Sequence, residues 1–272
     1  MAQEDLTDKI MAEVLRRVGA AEAPVDKAAP ASAARLQQTP GLRAGLTEFV
    51  GVNPLGDTIG LVIANVDPTL HKLMGIDPKF HTIGILGDRT GAGPQIFAAD
   101  EAIKATNCEI VSIELPRDTK GGAGHGCLII FGAEDVSDAR RAIEVCLTEL
   151  DRTFGDVYAN DAGHIEFQYT ASASYALNKV FGAPLGKAFG ITVGAPAAIG
   201  VMLADTAVKA ATVDVLAYSS PSKGTSLTNE VISAFTGDAG AVRLALIAAR
   251  EVGKQLLGTL GATPTSVTTP YI

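Results

Sequence analysis

The chain has few cysteines, and they are not paired in any recognisable pattern. Its three cysteines, Cys108, Cys127 and Cys146, show no CxxC spacing in 272 residues. An odd, widely spaced set does not indicate a disulfide framework, so we expect three buried free thiols. The opening residues show no signal-peptide pattern either. These absences favour an intracellular, cytoplasmic protein.

Basic residues are also scarce. The chain has 22 Lys and Arg against 30 Asp and Glu, a formal net charge of −8 and a pI near 5.0. A nucleic-acid backbone or an anionic membrane requires a basic face, so we expect neither as the principal partner. The uncharged run 188–204 is shorter than the ~20 residues of a spanning helix and contains three glycines and a proline, which indicates a strand, a turn and a helix.

Catalytic and metal-binding motifs are missing as well. The four histidines lie in separate segments, without an HExxH motif or a Cys/His cluster. The glycine-rich segment 87–94 lacks both the Walker lysine and the G-x-G-x-x-G spacing, so a tight turn is expected there. We therefore expect no enzymatic activity, no metal and no cofactor.

What the chain does contain is a domain-sized repeat. The segment 99–111 (ADEAIKATNCEIV) is matched by 204–216 (ADTAVKAATVDVL), with Asp100 and Asp205 105 positions apart. Residues 70–75 (LHKLMG) and 177–182 (LNKVFG) match in the same order. This period exceeds the ~20–50 residues of solenoid repeats. With 47% hydrophobic residues and 29 glycines, the pattern predicts a tandem duplication of one compact domain.

The repeat divides the chain into five segments. We expect residues 1–18 to form an amphipathic helix, 19–46 a flexible linker rich in Ala and Pro, 47–156 and 157–262 the two domains, and 263–272 a loose tail. Within each domain, strands alternate with helices, and Pro68 and Pro94 support two helix starts. This order predicts an α/β fold in which helices cover one face of a sheet.

The repeated motif A-D-x-A-(I/V)-K-A-(A/T), the acidic-hydrophobic strand after it and the final turn into an alanine-rich helix (236–242) resemble bacterial microcompartment shell proteins. The resemblance covers nearly all of residues 47–262, because each of the two copies matches the family's domain. Each copy begins with the strand and helix that would close the usual BMC domain, so the order is similar to the circularly permuted form. Tandem permuted chains of this kind resemble the B-type trimeric shell protein of propanediol- and ethanol-utilising compartments.

This resemblance implies an α+β, ferredoxin-like-derived fold, with two tandem circularly permuted BMC domains per chain. It further implies a homotrimer that imitates a hexamer and tiles the facets of a polyhedral shell in the cytoplasm, beside other, hexameric shell proteins and around enclosed enzymes. The alternative is a trimeric, non-enzymatic sensor that binds small metabolites between subunits. A sensor would remain a discrete trimer, whereas a shell protein would form sheets.

The resemblance also assigns roles to particular residues. Lys104 and Lys209 match the lysine at the tile edge, although a lysine at a helix end is usually a solvated surface charge. Two glycine-containing loops match the loops that line the family's pore, which is expected to pass small diols or alcohols. The alternative is that they are only flexible hairpin loops. The predicted pore-lining residues are Lys120, Gly121, Gly122, Ala123, Gly124, His125, Ser219, Ser220, Ser222, Lys223, Gly224 and Thr225. A channel inside each subunit, between its domains, is the alternative route.

The N-terminal helix is expected to dock enclosed enzymes. Its apolar stripe would be marginal alone in water and needs a covering partner. The alternative is that this helix packs on its own domain, but the length of the linker favours docking. The predicted docking residues are Leu6, Ile10, Met11, Val14, Leu15 and Val18.

Overall fold

The computed structural model describes residues 46–117, 125–224 and 228–272, and these residues form two consecutive repeats of similar design. The first repeat contains β1 (Phe49–Asn53), β2 (Thr58–Ile63), α1 (Pro68–Leu73), β3 (Thr82–Asp88), α2 (Gly93–Ala105), β4 (Glu109–Glu114), β5 (Cys127–Ala133) and α3 (Val136–Thr153). Its strands form one antiparallel sheet in the order β1-β2-β3-β5-β4.

The second repeat follows the same plan. It contains β6 (Val157–Asn160), β7 (Gly163–Thr170), α4 (Tyr175–Phe181), β8 (Ala188–Ala195), α5 (Ala197–Ala210), β9 (Asp214–Ser219), β10 (Val231–Gly237), α6 (Ala239–Gly258) and β11 (Thr265–Ser266). Its antiparallel sheet has the order β11-β6-β7-β8-β10-β9. The predicted fold of two repeats that mix helices and strands is therefore confirmed; strand β1 was not predicted.

The long helix of each repeat packs on its own sheet because its apolar residues recur every three or four positions. In α3 the buried apolar residues are Ala139, Ala142, Ile143, Cys146, Leu147 and Leu150. Glycines in the sheet make room for this helix. A Cβ atom on Gly84 of β3 would lie 3.1 Å from Cγ1 of Ile143, which explains a glycine in an otherwise apolar strand.

One hydrophobic cluster contains buried residues of both repeats and joins them. Phe97 of α2 and Phe189 of β8 belong to the same buried cluster, with ring centroids 5.8 Å apart, and Phe181 of α4 lies 5.4 Å from Phe189 on another side. A second cluster lies within the second repeat around Phe167 and Phe235. Because burial of each aromatic side chain contributes on the order of 2 kcal/mol, we infer that the repeats unfold together.

The repeats are also joined by a helix cap. Helix α4 begins without a side-chain cap from Ser174. Instead, the carboxylate of Asp100 on α2 accepts hydrogen bonds from the backbone nitrogens of Ser174, at 3.0 Å, and Leu177, at 3.2 Å. A carboxylate at this position satisfies donors that no helical carbonyl can reach. The first repeat therefore fixes the start of a helix in the second.

The segment 263–272 is packed rather than loose. Its strand β11 pairs with β6, and Tyr271 and Ile272 donate their backbone N–H groups to the Asp156 carboxylate at 2.8 and 3.0 Å. Arg250 completes the cluster, with Nη1 2.7 Å from Asp156 Oδ1. The expectation of a loose tail was wrong because the low hydrophobicity of this segment gave no sign of the buried carboxylate to which it binds.

Candidate functional site between the two repeats

A cavity of about 730 Å³ lies between the two repeats and is lined by both. Its walls are mostly apolar, with Ile96 and Ile113 from the first repeat and Ile191 and Val193 from the second. The polar groups His125, Glu166 and Glu230 also line it. Apolar walls with a few convergent polar groups are typical of sites for small molecules.

These polar groups form a buried chain of alternating histidines and glutamates. His125 Nδ1 lies 2.9 Å from Glu230 Oε1, and both side chains are almost fully buried. His164 Nε2 lies 3.6 Å from Glu230 Oε2 and 3.5 Å from Glu166 Oε1. Only His125 comes from the first repeat, so the chain of charges crosses the boundary between the repeats.

Burial and mutual interaction shift the pKa values of these histidine and glutamate side chains. Burial raises the pKa of Glu166 to about 7, against the lowering effect of His164. Burial would also raise the pKa of Glu230, but its interactions with His125 and His164 hold that pKa at about 2. For His164, burial lowers the pKa, and Glu230 and Glu166 outweigh this effect and raise it above the ordinary value. The site therefore changes charge close to neutral pH.

A further buried carboxyl group, that of Asp88, lies close enough to Glu166 to affect its pKa. Asp88, at the end of β3, accepts a hydrogen bond from the Cys127 thiol, and burial raises its pKa to about 7. Burial also raises the pKa of Cys127 well above its ordinary value, which keeps this sulfur a thiol. All three cysteines are buried and free, as the sequence predicts.

The predicted pore residues fall in several places. Ser219, Gly224 and His125 line the cavity between the repeats. Ser220 and Lys223 pair as an isolated bridge across a tight turn that includes Ser222, and Lys223 Nζ lies 5.9 Å from the ring centroid of Tyr218. The other predicted pore residues, Lys120, Gly121, Gly122, Ala123, Gly124 and Thr225, lie outside the described residues.

The two predicted tile-edge lysines have different surroundings. Lys104 Nζ lies 3.0 Å from both Asp100 Oδ2 and Glu101 Oε1, and the side chain is 29% exposed. Lys209 Nζ lies 2.7 Å from Asp205 Oδ2, and its side chain is 73% exposed. Their tile-edge role stays a prediction. The predicted docking residues Leu6, Ile10, Met11, Val14, Leu15 and Val18 lie outside the described residues.

Sequence reasoning did not find His164, Glu166 and Glu230 as a group. The spacing of His164 and Glu166 places them on one face of β7, which is the only local signal. Glu230 and His125 are 105 positions apart and meet only because the repeats pack together.

Within the described residues, no group of three or more His, Cys, Asp or Glu could hold a metal ion, and none of the described helices combines the length and hydrophobicity required to cross a membrane.

Comparison with known proteins agrees with the fold and the repeat. A family model described as the BMC domain matches residues 82–161 and again 188–264. The chain is 60% identical over its full length, and over the full length of the relative, to the bacterial microcompartment shell protein PduB of Citrobacter freundii.

Two solved structures are similar to the described fold. One is the crystal structure of a trimeric bacterial microcompartment shell protein PduB, 54% identical, which covers 84% of this chain and 100% of that one with a TM-score of 0.81. The other is EtuB from Clostridium kluyveri, 53% identical with the same coverage and TM-score. These likenesses confirm the predicted family and favour the shell role over the sensor. The chain therefore belongs to the BMC-domain family of bacterial microcompartment shell proteins.

Proposed function

We propose that this chain forms a homotrimer whose six repeats make a flat, pseudohexameric tile of a microcompartment shell in the cytoplasm. The observation that supports the proposal is a difference between the repeats. A helix face that is buried inside the chain in the first repeat is exposed in the second. The similar solved chain is that of a trimeric shell protein, and a second copy of this chain would cover the exposed face.

The first half of this comparison concerns α2 and α5, whose sequences match. Phe97 of α2 is 2% exposed because it packs on Phe189, whereas its counterpart Met202 of α5 is 45% exposed. Ile96 and Ile103 of α2 are buried, and their counterparts Val201 and Val208 are exposed. The buried face of α2 is thus repeated on α5 without its cover.

The second half concerns α4, one of the elements that cover α2, and its counterpart α1. Leu177 of α4 is fully buried, whereas its counterpart Leu70 of α1 is 44% exposed. Leu73, one turn further along α1, is also exposed. The second repeat therefore has an exposed apolar face on α5. The first repeat has an exposed helix, α1, of the kind that covers such a face in α4. Two different faces that fit each other give a head-to-tail contact, which closes into a ring when the rotation allows it.

A contact of this kind explains a trimer. If α1 of one copy covers α5 of the next as α4 covers α2, each contact repeats the rotation between the repeats within one chain. When that rotation is one sixth of a turn, six repeats in succession close a ring with three chains. The exposed residues Val215 and Tyr218 on edge strand β9 lie in the same repeat as α5 and would be covered in the same contact.

The test is the mass of the purified full chain by light scattering, with Met202→Asp and Val208→Asp as variants. We expect a trimer for the unmodified chain and smaller species for both variants, because a carboxylate would be buried without a partner. The matched control is Leu244→Asp on α6, since Leu244 and its counterpart Arg141 are both exposed. A monomeric unmodified chain, or trimers from all three variants, would contradict the proposal.

We further propose that the role is structural rather than catalytic, and that the tile passes small polar metabolites such as diols or alcohols. Two routes are open to a solute: the loops 116–126 and 219–229 at the threefold axis, and the cavity between the repeats. Permeability of assembled shells to a diol separates them. Gly122→Phe and Ser222→Phe should slow the diol if the loops form the route, whereas Val193→Phe should do so if the cavity forms it.

Two contacts beyond the trimer complete the proposal. Lys104 and Lys209 would lie near the tile edge, and Lys104 would contact neighbouring tiles, including hexameric shell proteins, so that Lys104→Ala keeps the trimer but loses sheets in electron micrographs. Residues 1–18 would dock enclosed enzymes. A chain without these residues should still assemble but retain less enzyme in a pull-down, and full retention would remove the docking role.

A further inference from the structure

The two helix starts that the repeat relates are capped in different ways. Helix α4 receives its cap from Asp100 on another helix. Helix α1 receives its cap from its own N-terminal residue, since Asp67 Oδ1 accepts from the backbone nitrogens of Thr69, at 2.9 Å, and Leu70, at 3.3 Å. Leu70 is the counterpart of Leu177, so the N–H group that Asp100 binds in one helix is already bound in the other.

This difference matters at the contact between copies. In the proposed trimer, on which this inference rests, α5 of one copy meets α1 of the next as α2 meets α4. The counterpart of Asp100 on α5 is Asp205. Asp205 would therefore approach a helix start that already has a carboxylate, Asp67, at the position that Ser174 occupies in α4. Two carboxylates at one helix end repel each other unless a cation lies between them.

The sequence of α5 provides that cation. In α2, Lys104 contacts two carboxylates of its own helix, those of Asp100 and Glu101, each at 3.0 Å. In α5 the counterpart of Glu101 is Thr206, and Lys209 contacts Asp205 alone among the described acidic side chains, at 2.7 Å. The second repeat thus has one carboxylate fewer near its lysine. A lysine ammonium has three donors, so Lys209 can bind a further carboxylate.

We propose that Lys209 of one copy lies between Asp205 of the same copy and Asp67 of the next, and that this ion triad joins the subunits of the trimer. In α2, Glu101 supplies the second carboxylate near the lysine. In α5 this position is Thr206, and Asp67 of the next copy would supply the second carboxylate instead. Each lysine then faces two carboxylates in both kinds of contact. Within the chain both come from one helix; between chains one comes from each subunit.

The triad makes the subunit contact selective for correct pairing. Complementary charges across an interface disfavour wrong partners and fix register. Because Asp67 both caps α1 and faces Lys209, it links the folding of a short helix to assembly. The contact should also weaken as salt increases, since the Lys209 side chain is largely exposed in the single chain.

The experiment is a charge exchange in the full chain, with trimer dissociation measured by sedimentation over a range of concentrations and salt. Lys209→Glu should raise the dissociation constant about tenfold or more, because three carboxylates would then meet. Asp67→Lys should have an effect in the same direction, since it places two cations together. The double variant Asp67→Lys/Lys209→Glu should recover most of the loss.

Controls separate this inference from the proposed trimer. Lys187→Glu, at an exposed site before β8, should leave dissociation unchanged, and circular dichroism should show that all variants fold. Additive effects in the double variant would overturn the triad while the trimer stands. A Lys209→Glu protein that keeps its trimer and loses only its sheets would overturn it too, in favour of the tile-edge role. If the unmodified chain is a monomer, the trimer itself is wrong.

Discussion

Asp100 on the helix of one repeat accepts hydrogen bonds from the backbone nitrogens of Ser174 and Leu177, where a helix of the other repeat begins. Its carboxylate is fully buried and also binds Lys104 at 3.0 Å. Burial raises the pKa of Asp100, although Lys104 and the two N–H groups oppose this effect. A buried carboxyl group that binds a cation and caps a helix contributes to stability through several partners at once.

The first prediction concerns this cap. Asp100→Ala should lower the free energy of unfolding by about 2–4 kcal/mol, because the helix start and Lys104 lose their acceptor. Asp100→Asn should cost less, since the amide oxygen can still accept from one backbone N–H group. Urea unfolding followed by circular dichroism measures both. Asp205→Ala, at the counterpart whose side chain is 46% exposed, should change the stability of the single chain by less than about 1 kcal/mol; equal losses at the two positions would contradict the prediction.

The second prediction concerns pH. The pKa of Glu166 in the folded chain, about 7, lies above its ordinary value of 4.5, so its contribution is fully present below pH 4.5 and is lost as the pH rises through 7. His164 and Asp88, whose pKa values are also raised, act in the same direction. The free energy of unfolding should therefore fall by about 1–3 kcal/mol between pH 5 and pH 8.

Thermal unfolding across this pH range tests the assignment. Glu166→Gln should flatten the dependence, because a group that cannot ionise contributes no slope. Glu114→Gln, at an exposed end of β4, is the matched control and should keep the slope of the unmodified chain. If Glu166→Gln retains the full slope, the other buried groups account for it.

The order of the elements and the duplication could be predicted from the sequence, because short stretches of neighbouring residues indicate both. Proline at the starts of α1 and α2 and the repeated A-D-x-A motif need no knowledge of distant contacts. Strand β1 was missed because FVGVN is short and contains a glycine that weakens a strand signal. The buried group of His125, His164, Glu166 and Glu230 was missed because folding of the sheet brings Glu230 to β7, and packing of the two repeats brings His125 to Glu230.

The motif itself could not reveal the different roles of its two copies. Asp100 and Asp205 occupy the same position of the motif, yet one is buried as a helix cap and the side chain of the other is 46% exposed. The difference depends on which copy the rest of the chain covers. A local pattern carries no information about that cover, so the same residue type at the same motif position has two environments.

The third prediction concerns close packing of α5 on its sheet. A Cβ atom on Gly200 would lie 2.7 Å from Cβ of Val231 and 2.8 Å from its carbonyl oxygen. Gly200→Ala should therefore lower the free energy of unfolding by about 1–3 kcal/mol, because backbone and a short side chain cannot move aside easily. Gly240→Ala, in the first turn of α6 with nothing within 4 Å of the new atom, should be neutral or slightly stabilising. Urea unfolding of the pair measures the difference.

The fourth prediction concerns the cluster that holds the segment 263–272. Asp156→Ala should cost about 3–5 kcal/mol, since it leaves Arg250 without its buried carboxylate and frees the N–H groups of Tyr271 and Ile272. Limited proteolysis should then cleave within 263–272 at conditions that leave the unmodified chain whole. Arg243→Ala, at an exposed site on the same helix as Arg250, is the control and should remain resistant.

The contact between Phe97 and Phe189 has a consequence for synthesis of the chain. Synthesis proceeds from the N-terminus, so Phe97 is made before Phe189, the ring on which it packs. During that interval the nascent first half presents the same kind of apolar helix face that α5 leaves exposed in the folded chain. The second repeat of the same chain or of another chain can bind this face of α2. The second repeat of the same chain has the advantage, because it is made directly afterwards and is covalently attached nearby.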